Sequence, residues 1–493
     1  MSDPPPARST AAPAAPVGEP REPDAVLPVR SDDVFAGVAR ERTYARETTF
    51  GNRDLMELVE ILGFAGPFRV RSPWELEDET GRHLIHAGGY AAVPLGEAYP
   101  PLVATVQRYL SQTSDIGLPQ SSLSDWRAAL EENLVALLAA EAPSHARSRV
   151  FFSNSGAEAI EAAVKFARAS RPGGTLIAFE RAYHGKTAAA LALTPNDEYQ
   201  ALFRPLFGPV RIVPYGDLDA FQAAVREIGP ARVTAVVVEP VQGEGGVVRP
   251  PEGFLRGLGE FCRAHGILVI ADEIQTGLGR TGHWFASVAD GLDPDVVTLA
   301  KGLGGGLVPV GATIAREPIY RTMLPGLESK RHSNTFGGGT LAMVVALRSL
   351  ELIAEEGLVA KARRDGEVGL SRLRALAARY PDLIADVRGA GMLLALQIRP
   401  VAPSRLLPVD KELVDQAGAA LALRALHLHG VIGCYSNNAQ RIVRLTPPLN
   451  QPEPLRDEMF GRIEAMARAY PQPWRMLGTM SPARWVRLAR LAL

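Results

Sequence analysis

Two residues, Lys301 and Asp272, combine type and position in a way that points to chemistry. Each closes an apolar run, VVTLAK and GILVIAD. Lysine is seldom buried without a purpose, and in a low-dielectric setting its ammonium gives up its proton, leaving an amine able to form a Schiff base with a carbonyl. Burying a carboxylate such as that of Asp272 costs several kcal/mol unless a cation compensates it, and a protonated pyridine nitrogen is one such cation. Gln275, three positions on, could donate to a phenolate oxygen. Taken singly, each has a plainer reading: Lys301 as a surface lysine at a strand end, Asp272 as a helix cap or loop carboxylate.

Two further segments change that balance. RVFFSNSGAEAIEAAVKFARA reads as a strand, a turn of small polar residues and a helix opening near Ala157. A helix start presents unpaired N–H groups and a partial positive charge, so Ser155, Gly156 and Ala157 form a cradle for a phosphate. Alone, the segment is equally an ordinary strand-to-helix turn. In AYHGKT, Tyr183 can stack on a flat heterocycle or simply edge the core, and His184 taken alone is more readily a structural histidine. Phosphate cradle, aromatic, Asp and Lys at successive strand ends are together what a phosphorylated pyridine aldehyde requires, and pyridoxal phosphate chemistry uses a Lys Schiff base with an Asp against the ring nitrogen.

A frame must hold these residues at one place. Seven short apolar runs, RVFFS (149–153), TLIAFE (175–180), VRIVPY (210–215), VTAVVVE (233–239), GILVIAD (266–272), VVTLAK (296–301) and VGATIA (310–315), lack polar alternation. Such runs suit strands buried on both faces, and so a mainly parallel sheet covered by helices in an α/β fold. Ligands lie beyond the carboxyl ends of such strands, and Ser153, Glu239, Asp272 and Lys301 each end a run. Upstream, 31–64 has mostly helical spacing, SPWELEDETGRHLIHAGGY reads as a short β-meander turning at Glu79 to Gly81, and Ser124 to Ala142 reads as a helix. From about Thr340 a long helix leads to a small α/β region. In the C-terminal MSPARWVRLARLAL, Arg484, Arg487 and Arg490 share one spacing and Trp485, Leu488 and Leu491 another. A helix docked on the protein is expected there rather than one lying on a membrane.

The chain has 493 residues, 46% hydrophobic and 22% charged, enough for two or three domains sharing large cores. With 53 basic and 54 acidic residues, it has no bulk charge favouring nucleic acid or an anionic membrane. Two cysteines, Cys262 and Cys434, make no disulfide framework, which fits a reducing cytoplasm. The Pro/Ala-rich start lacks the apolar core of a signal peptide and reads as a disordered tail, and no run approaches the roughly 18 to 20 apolar residues of a membrane span. The expected organisation is a tail (1–30), an N-terminal part of a small domain (31–115), a large cofactor-binding domain (116–345), the C-terminal part of the small domain (346–475) and a helical extension (476–493). No metal site is assigned.

The segments SNSGAEA, AYHGKT, VVVEPVQGEGG, ADEIQTGLGRTG, LAKGLGGGLVPVGA, SNTFGGG and RLTPPL occur in this order, and with them the chain resembles the class III pyridoxal-phosphate aminotransferases of fold type I from about residue 70 to 470. The resemblance implies that Lys301 carries the cofactor and shuttles protons, Asp272 pairs with the pyridinium and Gln275 contacts the phenolate oxygen. Tyr183 and Ile274 would cover the two ring faces, and His184 and Glu239 would lie among the cofactor contacts. Ser155, Gly156 and Ala157 would hold the phosphate with Thr335 of a neighbouring subunit, so a homodimer is implied.

By the same resemblance, Arg444 would bind an α-carboxylate, and Glu244 would cover it when an ω-amine enters, so that 2-oxoglutarate is the implied acceptor. Lys186, where many relatives have Arg, together with FGPVRIVPYGDL and SNNAQRIVRLTPPL, is most similar to the putrescine (diamine) branch. Tyr90 would stand near the entrance. The chain departs from the family at Glu97, where His is commoner, and at FGGGT, where Asn-Pro usually follows the glycines. Two rival readings are an amino-acid racemase or epimerase of the same family and a non-catalytic homologue that binds a partner.

Overall fold

A computed structural model describes residues 28–119, 121–401 and 411–491. Most of the expected tail, 1–27, lies outside the described residues. Residues 61–493 form one compact unit and the chain up to Glu60 another. In the latter, the helices Ser31–Phe35 and Arg40–Phe50 bury no side chain, and Arg40 pairs with Glu60.

All seven apolar runs become strands of one sheet: β1 (Arg149–Ser153), β2 (Thr175–Phe179), β3 (Val210–Val213), β4 (Val233–Val238), β5 (Leu268–Asp272), β6 (Val296–Leu299) and β7 (Gly311–Ala315). Their order is β1-β7-β6-β5-β4-β2-β3. Only β7 runs antiparallel to its neighbours, so the carboxyl ends of the other six open on one side. This is the mixed α/β, mainly parallel architecture that the apolar runs imply.

Burial on both faces explains the unbroken apolar runs. In β4, all of VTAVVV is buried. Ala235 and Val237 pack with Ile160, Ala163 and Phe166 of helix α1 (Gly156–Ser170), while Val236 and Val238 join the opposite core with Phe179, Phe254 and Leu258. Each fully buried Val contributes about 1.5–3 kcal/mol, and β-branched side chains suit the pleat.

The meander expected from SPWELEDETGRHLIHAGGY forms as Arg69–Ser72, Glu75–Glu77 and His83–His86, and Val431–Ile432 adds in parallel beside the last strand. The helix expected over 124–142 spans Asp125–Glu141, with Ser124 Oγ accepting the Arg127 N–H. After the helices Thr340–Glu355 and Leu358–Arg379, an antiparallel sheet forms from Ile384–Ala390, Leu393–Ile398, Ile442–Leu445 and Cys434–Tyr435. Trp485, Leu488 and Leu491 of the last helix, Pro482–Leu491, pack against the core beneath that sheet, the docked outcome that their spacing implies.

Candidate active site

The carboxyl ends of the strands open into a cavity of about 560 Å³. Ser155, Gly156, Ala157, Tyr183, His184, Lys186, Glu239, Glu244, Asp272, Ile274, Gln275 and Lys301 all line it. Three other sequence candidates do not. Arg444 lies wholly buried behind Glu244 and Gln275. Tyr90 is 40% exposed outside the lining. Thr335 is exposed in a loop and is not part of its own chain's lining.

Helix α1 begins one residue before the expected start, at Gly156, because Ser155 caps it: its Oγ accepts the Glu158 N–H. The first-turn N–H groups of Gly156 and Ala157 therefore find no carbonyl within their own helix. The fit at Gly156 is close: a Cβ there would stand 3.0 Å from Ile274 Cδ1. Gly185 meets the same limit, with φ +127° and a Cβ position 2.6 Å from that of Ala157.

Asp272 is the last residue of β5 and 4% exposed. Its Oδ2 lies 2.6 Å from His184 Nδ1, and its Oδ1 accepts the Ile274 N–H at 3.1 Å. Burial disfavours a charged His184, but the bond to Asp272 and its charge outweigh this and raise the imidazole pKa. The ring's Nε2 is buried with no partner among the described residues. Glu239 Oε1 accepts the Tyr183 N–H at 2.9 Å and Oε2 the Gly243 N–H at 3.2 Å, fastening two loops together. Burial pushes this carboxyl up to about 7; the charge of His184 works against that rise and Asp272 adds to it.

Lys301 follows β6 and opens a one-turn 3₁₀ segment with φ +42°, a left-handed conformation that costs a side-chain-bearing residue about 1–3 kcal/mol and often marks a functional site. Burial holds its ammonium pKa below the ordinary lysine value, against the opposing pull of Glu244 and Asp272. More of the amine is therefore unprotonated near neutral pH.

Glu244 and Arg444 form a sealed pair, Oε1 to Nη2 2.6 Å, at 5% and 0% side-chain exposure. Glu244 Oε2 also accepts from the backbone and side-chain nitrogens of Asn437 at 2.9 and 2.8 Å. Arg444 donates to Tyr435 O at 2.9 Å and to Gln275 Oε1 at 3.1 Å, while Gln275 Nε2 donates to Tyr90 O at 3.3 Å. Gln275, read from the sequence as a phenolate donor, thus also braces the arginine. Sequence reasoning missed Asn437 and Tyr435, which hold this pair, and Thr194, whose Oγ1 accepts the His184 N–H at 2.9 Å. SNNAQ, which contains Asn437, stood out only by resemblance, and nothing in its composition signals a clamp. The departure at Glu97 has a partner: its Oε1 lies 3.0 Å from Nε2 of the buried His86.

The family model for aminotransferase class-III matches residues 73–466. The chain belongs to this family. It is similar to the ornithine aminotransferase of Toxoplasma gondii ME49 (25% identity, 89% of this chain and 97% of that one, TM-score 0.76). It is also similar to the acetylornithine aminotransferase of Elizabethkingia anophelis (28%, 87% and 99%, TM-score 0.71). An amine transaminase from an uncultivated Pseudomonas species, in its PLP-bound form, matches at 26% (82% and 95%, TM-score 0.72).

The class-III aminotransferase is an enzyme whose cofactor is pyridoxal 5′-phosphate. The cavity fits that group: it offers a helix start narrowed by glycine, a buried carboxylate backed by an imidazole, and an amine held below its ordinary pKa. No helix among the described residues is long and apolar enough to cross a membrane.

Proposed function

We propose that this enzyme moves an amino group from an ω-amine donor, a diamine such as putrescine or an ω-amino acid such as ornithine or 4-aminobutyrate, to 2-oxoglutarate. The observation that carries this reading is the sealed Glu244–Arg444 pair. With its charge matched by Glu244, Arg444 offers no site to an α-carboxylate. The cavity then favours a donor that brings a terminal amine. An acceptor that competes for Arg444 must displace Glu244, a bidentate exchange to which guanidinium is suited.

Asp272 would hold the cofactor's ring nitrogen, Ser155 to Ala157 its phosphate, and Tyr183 and Ile274 its two faces. Gln275 would reach the phenolate oxygen, and Thr335 of a neighbouring subunit would close the phosphate site, making the enzyme a homodimer. When bound, the cofactor supplies a pyridinium that accepts the electrons of the breaking Cα–H bond. Lys301 Nζ takes up the proton leaving substrate Cα and later returns one, a task suited to an amine whose pKa burial has lowered. Asp272, hydrogen-bonded to His184, would hold the ring protonated.

The ornithine and acetylornithine aminotransferases among the similar structures support the ω-amine class, and Lys186 in AYHGKT supports the diamine branch within it. The cytoplasm is the compartment this reading assigns; the free, buried Cys262 and Cys434 support it.

A half-reaction screen tests the proposal: putrescine, cadaverine, ornithine, lysine, 4-aminobutyrate and α-amino acids are added in turn to the holoenzyme while the cofactor's absorbance is followed. A terminal amine should convert the cofactor, and 2-oxoglutarate should restore it. Conversion by α-amino acids alone would overturn the proposal. Inversion of a single-enantiomer amino acid without an oxo acid would identify a racemase instead.

A further inference from the structure

Lys186 lines the cavity, and no carboxylate among the described residues pairs with it. Its ammonium instead lies 3.7 Å from the ring centroid of Tyr199. The turn that carries that ring is tied down. Tyr199 belongs to the turn Asp197–Gln200, capped by Asn196, whose Nδ2 donates to Asn438 Oδ1 at 3.0 Å. Asn438 in turn donates through Nδ2 to Ala182 O at 2.7 Å and through its backbone N–H to Glu244 O at 3.0 Å. The turn that carries the ring is thus tied to the two loops that carry Tyr183 and Glu244. Burial and the nearby Glu198, Tyr183, Tyr435 and Glu244 push its phenol up to about 12, so it remains a neutral π-face at working pH.

We infer that Tyr199 is a specificity-determining residue for the donor: its ring keeps the Lys186 ammonium against the wall while a donor with a cationic far end occupies the cavity, and yields it to the far carboxylate of a dicarboxylic oxo acid in the return half-reaction. The inference rests on the proposed ω-amine chemistry. Its physical basis is simple. Two ammonium groups free in one cavity repel, whereas a cation held on an aromatic face is compensated and displaced from the substrate's path. A partly exposed cation–π contact corresponds to about a two- to fivefold change in an equilibrium, enough to bias a choice between donors while remaining exchangeable for an ion pair.

The test uses the holoenzyme and three donors that differ only in the far end: pentylamine (apolar), cadaverine (cationic) and 5-aminopentanoate (anionic). Tyr199→Leu should raise KM for cadaverine about two- to fivefold, with kcat and the KM for pentylamine held. Tyr199→Phe, which keeps the ring, should behave as wild type. Adding Lys186→Met to Tyr199→Leu should bring the cadaverine KM back, because the cation released by the first change is gone. Equal changes for all three donors, or no recovery in the double variant, would overturn the inference. If wild type accepts none of these amines, the ω-amine proposal falls. Lys186→Met with Tyr199 intact then decides the role of Lys186, by the KM for 2-oxoglutarate against pyruvate. A selective rise for 2-oxoglutarate supports the part of the inference that gives Lys186 to the far carboxylate, and an unchanged ratio overturns that part too; the part that concerns donor choice falls with the ω-amine proposal.

Discussion

His184 Nδ1 and Asp272 Oδ2 stand 2.6 Å apart, at 0% and 4% side-chain exposure, in the floor of the cavity. A charge-assisted bond in so dry a place is stronger than its counterpart in water, and it keeps the carboxylate aimed. His184→Ala leaves that carboxylate without its imidazole, and the apoenzyme should lose about 1–3 kcal/mol of stability, measured by urea denaturation. Asp272→Ala removes the group that would keep the cofactor ring protonated, and kcat should fall about 10²–10³-fold, the cost usual for a preorganised charge contact. Steady-state rates at saturating cofactor check this; a fall below tenfold would exclude the assigned role.

The pH dependence of stability should carry the signature of Glu239. Its ordinary value is 4.5 and burial lifts it to about 7. Between those two values the folded protein keeps a proton that the unfolded chain has lost, so the contribution of this group is full below about 4.5 and is lost as pH rises through 7. The stability of wild type relative to Glu239→Gln, which stays neutral throughout, should therefore fall steadily as pH rises from about 4.5 to about 7.5, followed by denaturant titration. A difference independent of pH would mean that the carboxyl titrates alike in both states.

Much of this was readable in the sequence because the signals were local. The seven strands were legible since double-sided burial leaves no polar alternation in runs such as VTAVVV, and the helix over 124–142 since its apolar stripe has helical spacing. Cavity residues that end strands or open α1 were legible for the same reason. The Arg444–Glu244–Asn437 clamp was not, because its members are brought together from distant parts of the chain by sheet packing. The antiparallel course of β7 was equally hidden, since a strand buried on both faces reads the same in either direction. Burial of Arg444 behind the wall also depends on the register of Ile442–Leu445 against Leu393–Ile398, which no motif encodes.

Gly243 shows how a glycine can be fixed by a neighbour's side chain. A Cβ there would run into Gln275 Oε1, the atom that accepts from Arg444 at 3.1 Å. Gly243→Ala should push Gln275 off that bond and shift the Glu244 loop. A displacement of about 1 Å in a positioning group costs about 10²-fold in rate, so kcat/KM should drop by about that factor. Donor-dependent kinetics check this, with circular dichroism confirming the fold; near-wild-type rates would mean that Gln275 moves without consequence.

The Glu244–Arg444 pair sets the sharpest expectation for donor choice. Glu244→Gln keeps the shape and the contact with Asn437 but removes the negative charge that neutralises Arg444. The guanidinium then remains charged and open to a carboxylate. Hydrogen bonds to charged groups are worth about 1.5–3 kcal/mol, so the ratio of kcat/KM for an α-amino acid donor over a diamine should rise at least about tenfold. Arg444→Ala does the reverse and strands Glu244 as an uncompensated buried charge, costing about 3–5 kcal/mol of stability. The two variants should therefore separate: the first changes donor preference with the fold intact, and the second lowers the denaturation midpoint. If both only lower the midpoint, the pair holds the wall together and has no part in choosing the donor.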